Sequence, residues 1–177
     1  MSKTLLIIGR FQPFHMGHFN LINRYYKAGF FIKIAIGSSQ MEFEKYNPLT
    51  SKEREEMIKR ALKEYKIKKF KIYNIPDINK DVNYIKHILK IVGKFDTIVT
   101  GNQSVLRLFL KYNSKNSWNI ESFKESLGRP GGKITSGLIR DRWLKKNDKR
   151  GLPKSVFKYL KSINFSERLR RLKSKGY

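Results

Sequence analysis

The stretch TLLIIGRFQPFHMGH, residues 4–18, sets an aliphatic run against a glycine and follows it with a short loop holding two of the chain's three histidines. The run TLLIIG (4–9) is too short for a helix and carries no charge, the pattern of a strand buried on both faces of a parallel sheet. Three later segments repeat it: FFIKIAIG (30–37), KFKIYNI (69–75) and FDTIVTG (95–101). Three of the four end at a glycine, as strands do when functional loops leave from their carboxyl ends.

Helical patterns separate these runs. GHFNLINRYYKAG (17–29) puts Phe19, Ile22, Tyr25 and Tyr26 on one face, with Gly29 as its C-cap. TSKEREEMIKRALKEYK (50–66) opens with Thr50 as N-cap and Glu53 three residues on, a capping box, ahead of Met57, Ile58, Ala61, Leu62 and Tyr65 at helical spacing. DVNYIKHILKIVG (81–93) repeats the spacing with Val82, Ile85, Ile88, Leu89 and Val92. Strand and helix alternate, which predicts an α/β fold: a doubly wound, open parallel sheet with right-handed crossovers and helices on both faces. Such sheets bind ligands beyond the carboxyl ends of their strands, where the strand order reverses.

Beyond Gly101, NQSVLRLFLKY reads as a helix, NSWNI as a short strand and KESLGRPGGK (124–133) as a flexible loop. SGLIRDRWLKK and PKSVFKYLKSI read as helices, the second with Pro153 in its first turn, and NFSERLRRLKSKGY as a final fraying helix. The length fits one domain over 1–177, with a core over about 1–145 and C-terminal helices over about 146–177. Trp118 and Trp143 read as packing residues, and His87 as a surface or core histidine.

The absence of cysteine excludes disulfides and thiol chemistry. No apolar run approaches the ~20 residues of a membrane span, so a soluble, cytoplasmic protein without a membrane partner is expected. The formal charge of +25 attracts polyanions. Its lysines are dispersed rather than gathered in one tract, and nucleic acid is not expected as the partner.

If a helix begins near Gly17, His15 and His18 flank its N-terminus, where free amides and the helix dipole favour an anion. Gly17 lets a phosphate approach the backbone, and imidazole N–H groups there can stabilise charge in phosphoryl or nucleotidyl transfer. A metal pair would need a third ligand that the local sequence lacks, and packing against backbone carbonyls is the structural alternative. GRPGGKIT imitates a phosphate-binding loop, but Leu127 and Ile134 stand where that motif requires glycine and a hydroxyl.

GRFQPFHMGH, with its H-x-G-H core, resembles the signature of the Rossmann-like nucleotidyltransferase superfamily, and its wording is similar to the archaeal-type nicotinamide mononucleotide adenylyltransferases. IGSSQ (36–40), NPLT..ER (47–54), IPDI (75–78), TGN (100–102), ITSGLIR (134–140) and LPKSVFKYL (152–160) agree in order and spacing. The resemblance implies transfer of AMP from ATP to nicotinamide mononucleotide, giving NAD and pyrophosphate, with magnesium on the ATP phosphates and no metal ligand from the protein. By the same resemblance His15, His18 and Arg140 are catalytic. Gly9, Arg10, Phe11, Gly17, Ser39, Gln40, Gly101, Asn102, Thr135 and Ser136 bind ATP, and Asp77 and Tyr84 face the acceptor. A homo-oligomer, a hexamer in the family, is also implied. Three positions depart from the family's pattern: Gly137 follows Thr135 and Ser136 where a further hydroxyl is usual, Tyr84 replaces a tryptophan, and Gln103 replaces a proline. Nicotinate mononucleotide, flavin mononucleotide or phosphopantetheine remain as other acceptors, and a non-catalytic nucleic-acid-binding relative as a different class of function.

Overall fold

The computed structural model describes residues 2–78, 81–113, 117–123 and 134–174. The loop expected over 124–133 lies outside the described residues. The chain divides into two compact units that alternate along the sequence: Met1–Gly9, Leu21–Ser39 and Lys69–Pro130 form one, and Arg10–Asn20, Gln40–Lys68 and Gly131–Tyr177 the other.

The first unit is a five-stranded sheet: β1 (Thr4–Gly9), β2 (Phe31–Gly37), β3 (Phe70–Ile75), β4 (Thr97–Thr100) and β5 (Asn119–Ser122). Their order is β3-β2-β1-β4-β5, and every pairing is parallel. The winding therefore reverses between β1 and β4, which are paired in register with Ile8 opposite Thr100. Gly9 ends β1 and Gly101 follows β4, so both stand at the carboxyl ends of the two strands that flank this switch point, where open parallel sheets bind ligands.

Successive side chains of a strand point to opposite faces. Leu6 and Ile8 of β1 join Ala35, Ile75 and Ile98 in a buried cluster with Ile85, Ile88 and Val92 of α3 (Asp81–Val92) and Val105 and Phe109 of α4 (Gln103–Tyr112). Leu5 and Ile7, facing the other way, are equally buried, so both faces of the sheet are covered. Trp118 stacks on Phe95 at 5.2 Å and meets the edge of Phe109 at 5.3 Å, the packing role its sequence implied. Lys33 of β2 buries its stem and donates from Nζ to Val92 O (2.6 Å) and Lys94 O (2.8 Å), capping the carbonyl end of α3.

α1 (Met16–Lys27) gives its first turn to the second unit and the rest to the first. It ends as expected at Gly29, whose φ of +85° lets Phe30 N reach Tyr25 O and Gly29 N reach Tyr26 O.

The second unit contains α2 (Ser51–Glu64), α5 (Ser136–Lys146), α6 (Lys154–Ser162) and α7 (Phe165–Ser174). The Thr50/Glu53 capping box forms in both directions: Glu53 N donates to Thr50 Oγ1, and Thr50 N to Glu53 Oε2. Trp143 of α5 is buried between Phe157 and Phe165 and donates its indole N–H to Ser166 Oγ at 2.7 Å. Pro153 is the N-cap of α6 and not, as expected, inside its first turn. A proline has no side-chain oxygen for capping, and Glu64 of α2 supplies one by accepting from Ser155 N at 2.7 Å.

Candidate functional site

The loop after β1 turns sharply, with Phe11 at φ +51° and a cis Gln12–Pro13 peptide. Phe11 and Phe14 are buried and hold the imidazole of His18 between them, at 4.8 and 5.5 Å between ring centroids. The His15 ring stacks on His18 at 3.7 Å. His15 stands immediately before α1 and His18 is the helix's third residue.

The hydrogen bonds settle part of the protonation. His15 N donates to His18 Nδ1 at 3.2 Å, which fixes the neutral tautomer of His18 with its proton on Nε2. His15 is 3% exposed, and its Nδ1 is buried with no hydrogen-bond partner among the described residues. Burial pushes the His15 imidazole down to about 3. Burial, and then the neighbouring His15, hold His18 well below the ordinary histidine range. Both rings are neutral at pH 7, so the cationic charge of the site comes from arginine.

Two arginines supply it. Arg140, half-buried on α5, donates from Nη1 to Gln12 O at 2.7 Å. Desolvation lowers its affinity for a proton, the positive charge of Arg10 adds to that, and Asp141 and Tyr46 oppose both. A bound anion would favour the charged form of Arg140 against both effects. Ser136 Oγ donates to Pro13 O at 3.1 Å. These two contacts join the histidine loop to a helix more than 120 residues further along the chain.

Some expected ligand groups are committed to the fold. Thr135 is the N-cap of α5, with Oγ1 accepting from Leu138 N, and Asn102 is the N-cap of α4, with Oδ1 accepting from Ser104 N and Val105 N. The Phe11 ring is spent on packing. The amide of Met16 donates to Gly151 O at 2.8 Å, so the start of α1, where Gly17 follows, already holds one carbonyl.

The remaining candidates divide between the units. Gly9, Ser39, Asp77, Tyr84, Gly101 and Asn102 belong to the sheet unit, and Gln40 to the other. Within the sheet unit Ser39 N donates to Ile75 O at 3.1 Å, tying the end of β2 to the segment that leads to Asp77. Asp77 and Tyr84 are neighbours: burial, then the Asp77 carboxylate, pushes the Tyr84 hydroxyl up to about 12. His87 is half-buried on α3, as expected of a structural histidine.

Two residues that sequence reasoning left without a role are central to the loop. Gln12, 2% exposed, uses its side chain twice on Leu49, donating to its O at 3.0 Å and accepting from its N at 2.9 Å. Arg54 of α2 is completely buried. One signal could have found Arg54: with Met57, Ile58, Ala61 and Leu62 it lies on the helix's apolar stripe, where a solvated arginine does not belong.

The cytidylyltransferase-like family matches residues 6–129. The nicotinamide-nucleotide adenylyltransferase of Thermoplasma acidophilum is 34% identical, over 97% of this chain and 92% of its own length. That of Thermoplasma volcanium is 31% identical, over 94% and 90%. Among solved structures, a bifunctional NMN adenylyltransferase/ADP ribose pyrophosphatase from Francisella tularensis superposes with a TM-score of 0.79 at 19% identity. The match covers 99% of this chain and 54% of that one, so the chain spans about half its length and shares the fold. A nicotinic acid mononucleotide adenylyltransferase from Plasmodium falciparum has the same fold, with a TM-score of 0.61 at 11% identity over 94% of this chain and 98% of its own. With a Rossmann-like doubly wound sheet, the H-x-G-H loop at the end of its first strand and relatives aligned over nearly their whole length, the chain belongs to the cytidylyltransferase-like family and, within it, to the archaeal nicotinamide-nucleotide adenylyltransferases.

Proposed function

We propose that the chain transfers AMP from ATP to nicotinamide mononucleotide. A phosphate oxygen of the mononucleotide attacks the α-phosphorus of ATP, the bond from that phosphorus to the α,β-bridging oxygen breaks, and pyrophosphate leaves with the electron pair as NAD forms. The protein has little covalent chemistry to perform, so positioning and charge stabilisation carry the rate. In this reading His18 donates from Nε2 to the phosphates, and His15 has a ring nitrogen to offer beside it. Arg140 and Arg10 balance the charge of the departing pyrophosphate. By the resemblance, Thr135, Ser136 and Gly17 are expected at the phosphates, and Gly9, Ser39, Gln40, Gly101 and Asn102 at the rest of ATP. The observation that carries the reading is the joining of the histidine loop to Arg140 and Ser136 through the carbonyls of Gln12 and Pro13.

Asp77 beside Tyr84 supports the amide form of the acceptor. A carboxylate accepts from a carboxamide NH2 and repels the carboxylate of nicotinate. Magnesium is expected with ATP, where it neutralises phosphate charge. No group of three or more histidine, aspartate and glutamate side chains among the described residues could hold it. A cytoplasmic homo-oligomer, a hexamer by resemblance, completes the reading. No helix among the described residues is long and apolar enough to cross a membrane.

Pyrophosphate release, measured with ATP and a panel of nicotinamide, nicotinate and flavin mononucleotides and phosphopantetheine, tests the assignment. The nicotinamide nucleotide is expected to give the highest kcat/KM. A higher value for another acceptor would reassign the substrate, and no release with any of them would refute adenylyl transfer. Steep salt dependence of RNA binding alongside that silence would favour the nucleic-acid reading.

A further inference from the structure

The arginine on the apolar stripe of α2 has no place in the chemistry above, yet taking a guanidinium entirely out of water is costly unless its donors are used. Arg54 directs them to backbone carbonyls from three separate segments. Nε donates to Thr50 O at 3.2 Å, Nη1 to Arg10 O at 3.2 Å and Nη2 reaches Met41 O at 3.5 Å. Thr50 is the cap of the helix that carries Arg54, so the fork is referenced to a fixed end of α2. That end is held in turn: Glu53 closes the capping box and accepts from Arg168 Nη1 of α7 at 2.6 Å, and Arg168 also donates to Pro48 O. Two residues beyond Arg10 in the loop, the doubly bonded Gln12–Leu49 contact ties the same two segments together.

We propose that Arg54 is a positioning residue for adenylyl transfer, its planar fork setting the backbone of Arg10 and so the placement of the Arg10 and histidine side chains against the triphosphate. The geometry asks for arginine in particular. A lysine ammonium keeps the charge but cannot span carbonyls of residues 10, 41 and 50 from one planar group, and glutamine keeps planarity with fewer donors. The proposal rests on the adenylyltransferase reading, since it names what the loop is held in place for.

The test is a double-mutant cycle of Arg54→Lys and Arg10→Ala, with Arg54→Gln as a second entry to the same site. Each protein is measured well below its melting temperature for kcat, for the KM of each substrate and for affinity toward a non-hydrolysable ATP analogue. Misplacement of a loop by about 1 Å costs ~10²-fold in rate, and a loss of this order in kcat/KM for ATP is expected of Arg54→Lys, with the KM for nicotinamide mononucleotide within about twofold of wild type. Because Arg54 acts through the Arg10 backbone, removing the Arg10 side chain first should shrink the effect of Arg54→Lys, giving non-additive losses. Additive losses, a drop in melting temperature with unchanged kcat/KM, or failure of both Arg54 variants to fold would each overturn the proposal and leave Arg54 as part of the fold alone. Should the wild-type chain bind the analogue but release no pyrophosphate, the adenylyltransferase reading fails, and the cycle is read in analogue affinity, where additivity still decides against Arg54.

Discussion

The two units bury different chemistry. Among the described residues, the polar side chains buried in the sheet unit are the small hydroxyls of Thr97, Thr100 and Ser122 on strands, whereas the second unit buries the amides of Gln12 and Asn47, the imidazole of His15 and the guanidinium of Arg54. In the first, burial is mostly apolar, so packing dominates its stability. In the second, the Gln12 amide and the Arg54 guanidinium are fixed by hydrogen bonds to backbone groups of other segments, while His15 Nδ1 and Asn47 Oδ1 are buried without a partner among the described residues. Desolvated polar groups are gathered where charge has to be handled.

That contrast can be broken most forcefully in the sheet unit. Phe109→Ala removes a completely buried ring that contacts both Phe95 and Trp118, and should cost ~3–5 kcal/mol of stability in denaturant unfolding. Steady-state kcat/KM of the molecules that remain folded should be unchanged, and a large kinetic defect would mean that the units do not separate stability from chemistry. His18→Ala should do the reverse, lowering turnover by ~10²-fold or more while the fold survives, because it removes a preorganised donor. Unchanged turnover would take His18 out of the mechanism.

Acid should discriminate between the units as well. The folded chain keeps His15 neutral down to about 3, while in the unfolded chain a histidine takes up its proton near the ordinary value of 6.5. The unfolded state therefore binds more protons between these values, so stability is full above about pH 6.5 and is lost progressively as the pH falls toward 3. His18, also held low, acts in the same direction. Melting temperatures measured from pH 7.5 to 5 should show the fall, and a His15→Gln/His18→Gln double variant should flatten it. An equal slope in the double variant would place the acid sensitivity elsewhere. The smallest effect concerns the cap that orders the start of α2: Thr50→Ala should cost ~1 kcal/mol in the same unfolding assay, and a neutral result would show that Arg168 and Glu53 hold that end without it.

The sheet unit was largely legible in the sequence because its physics is repetitive. Apolar runs ending at glycine marked β1, β2 and β4, helical spacing marked α3, and their alternation was enough to imply parallel order, whereas the strands that flank the reversal of winding emerged only with the order β3-β2-β1-β4-β5. The capping box at Thr50 and the glycine ending α1 were equally readable, since both are local chemistry. In the second unit the helices were as readable, but of the site only the motifs were. His15, His18, Ser136 and Arg140 were singled out, but nothing in the spacing showed that the loop's carbonyls would be the partners of Ser136 and Arg140, or that burial would leave the imidazoles neutral. Asn102 and Thr135, expected as ligands, spend their side-chain oxygens on caps, because a short polar residue before a helix satisfies the backbone first. Gln12 was missed outright, for its value lies in a contact 37 residues away.

The central claim is that the loop of residues 10–18, with Arg140, receives the triphosphate. The chain's three histidines allow this to be observed directly by 15N NMR of histidine-labelled protein, with His87 as the internal reference. Two rings should show the neutral pattern at pH 7, that of His18 with its proton on Nε2, and saturating non-hydrolysable ATP analogue should shift the nitrogens of both His15 and His18 while those of His87 stay in place. Unmoved His15 and His18 resonances with the analogue bound would contradict the account.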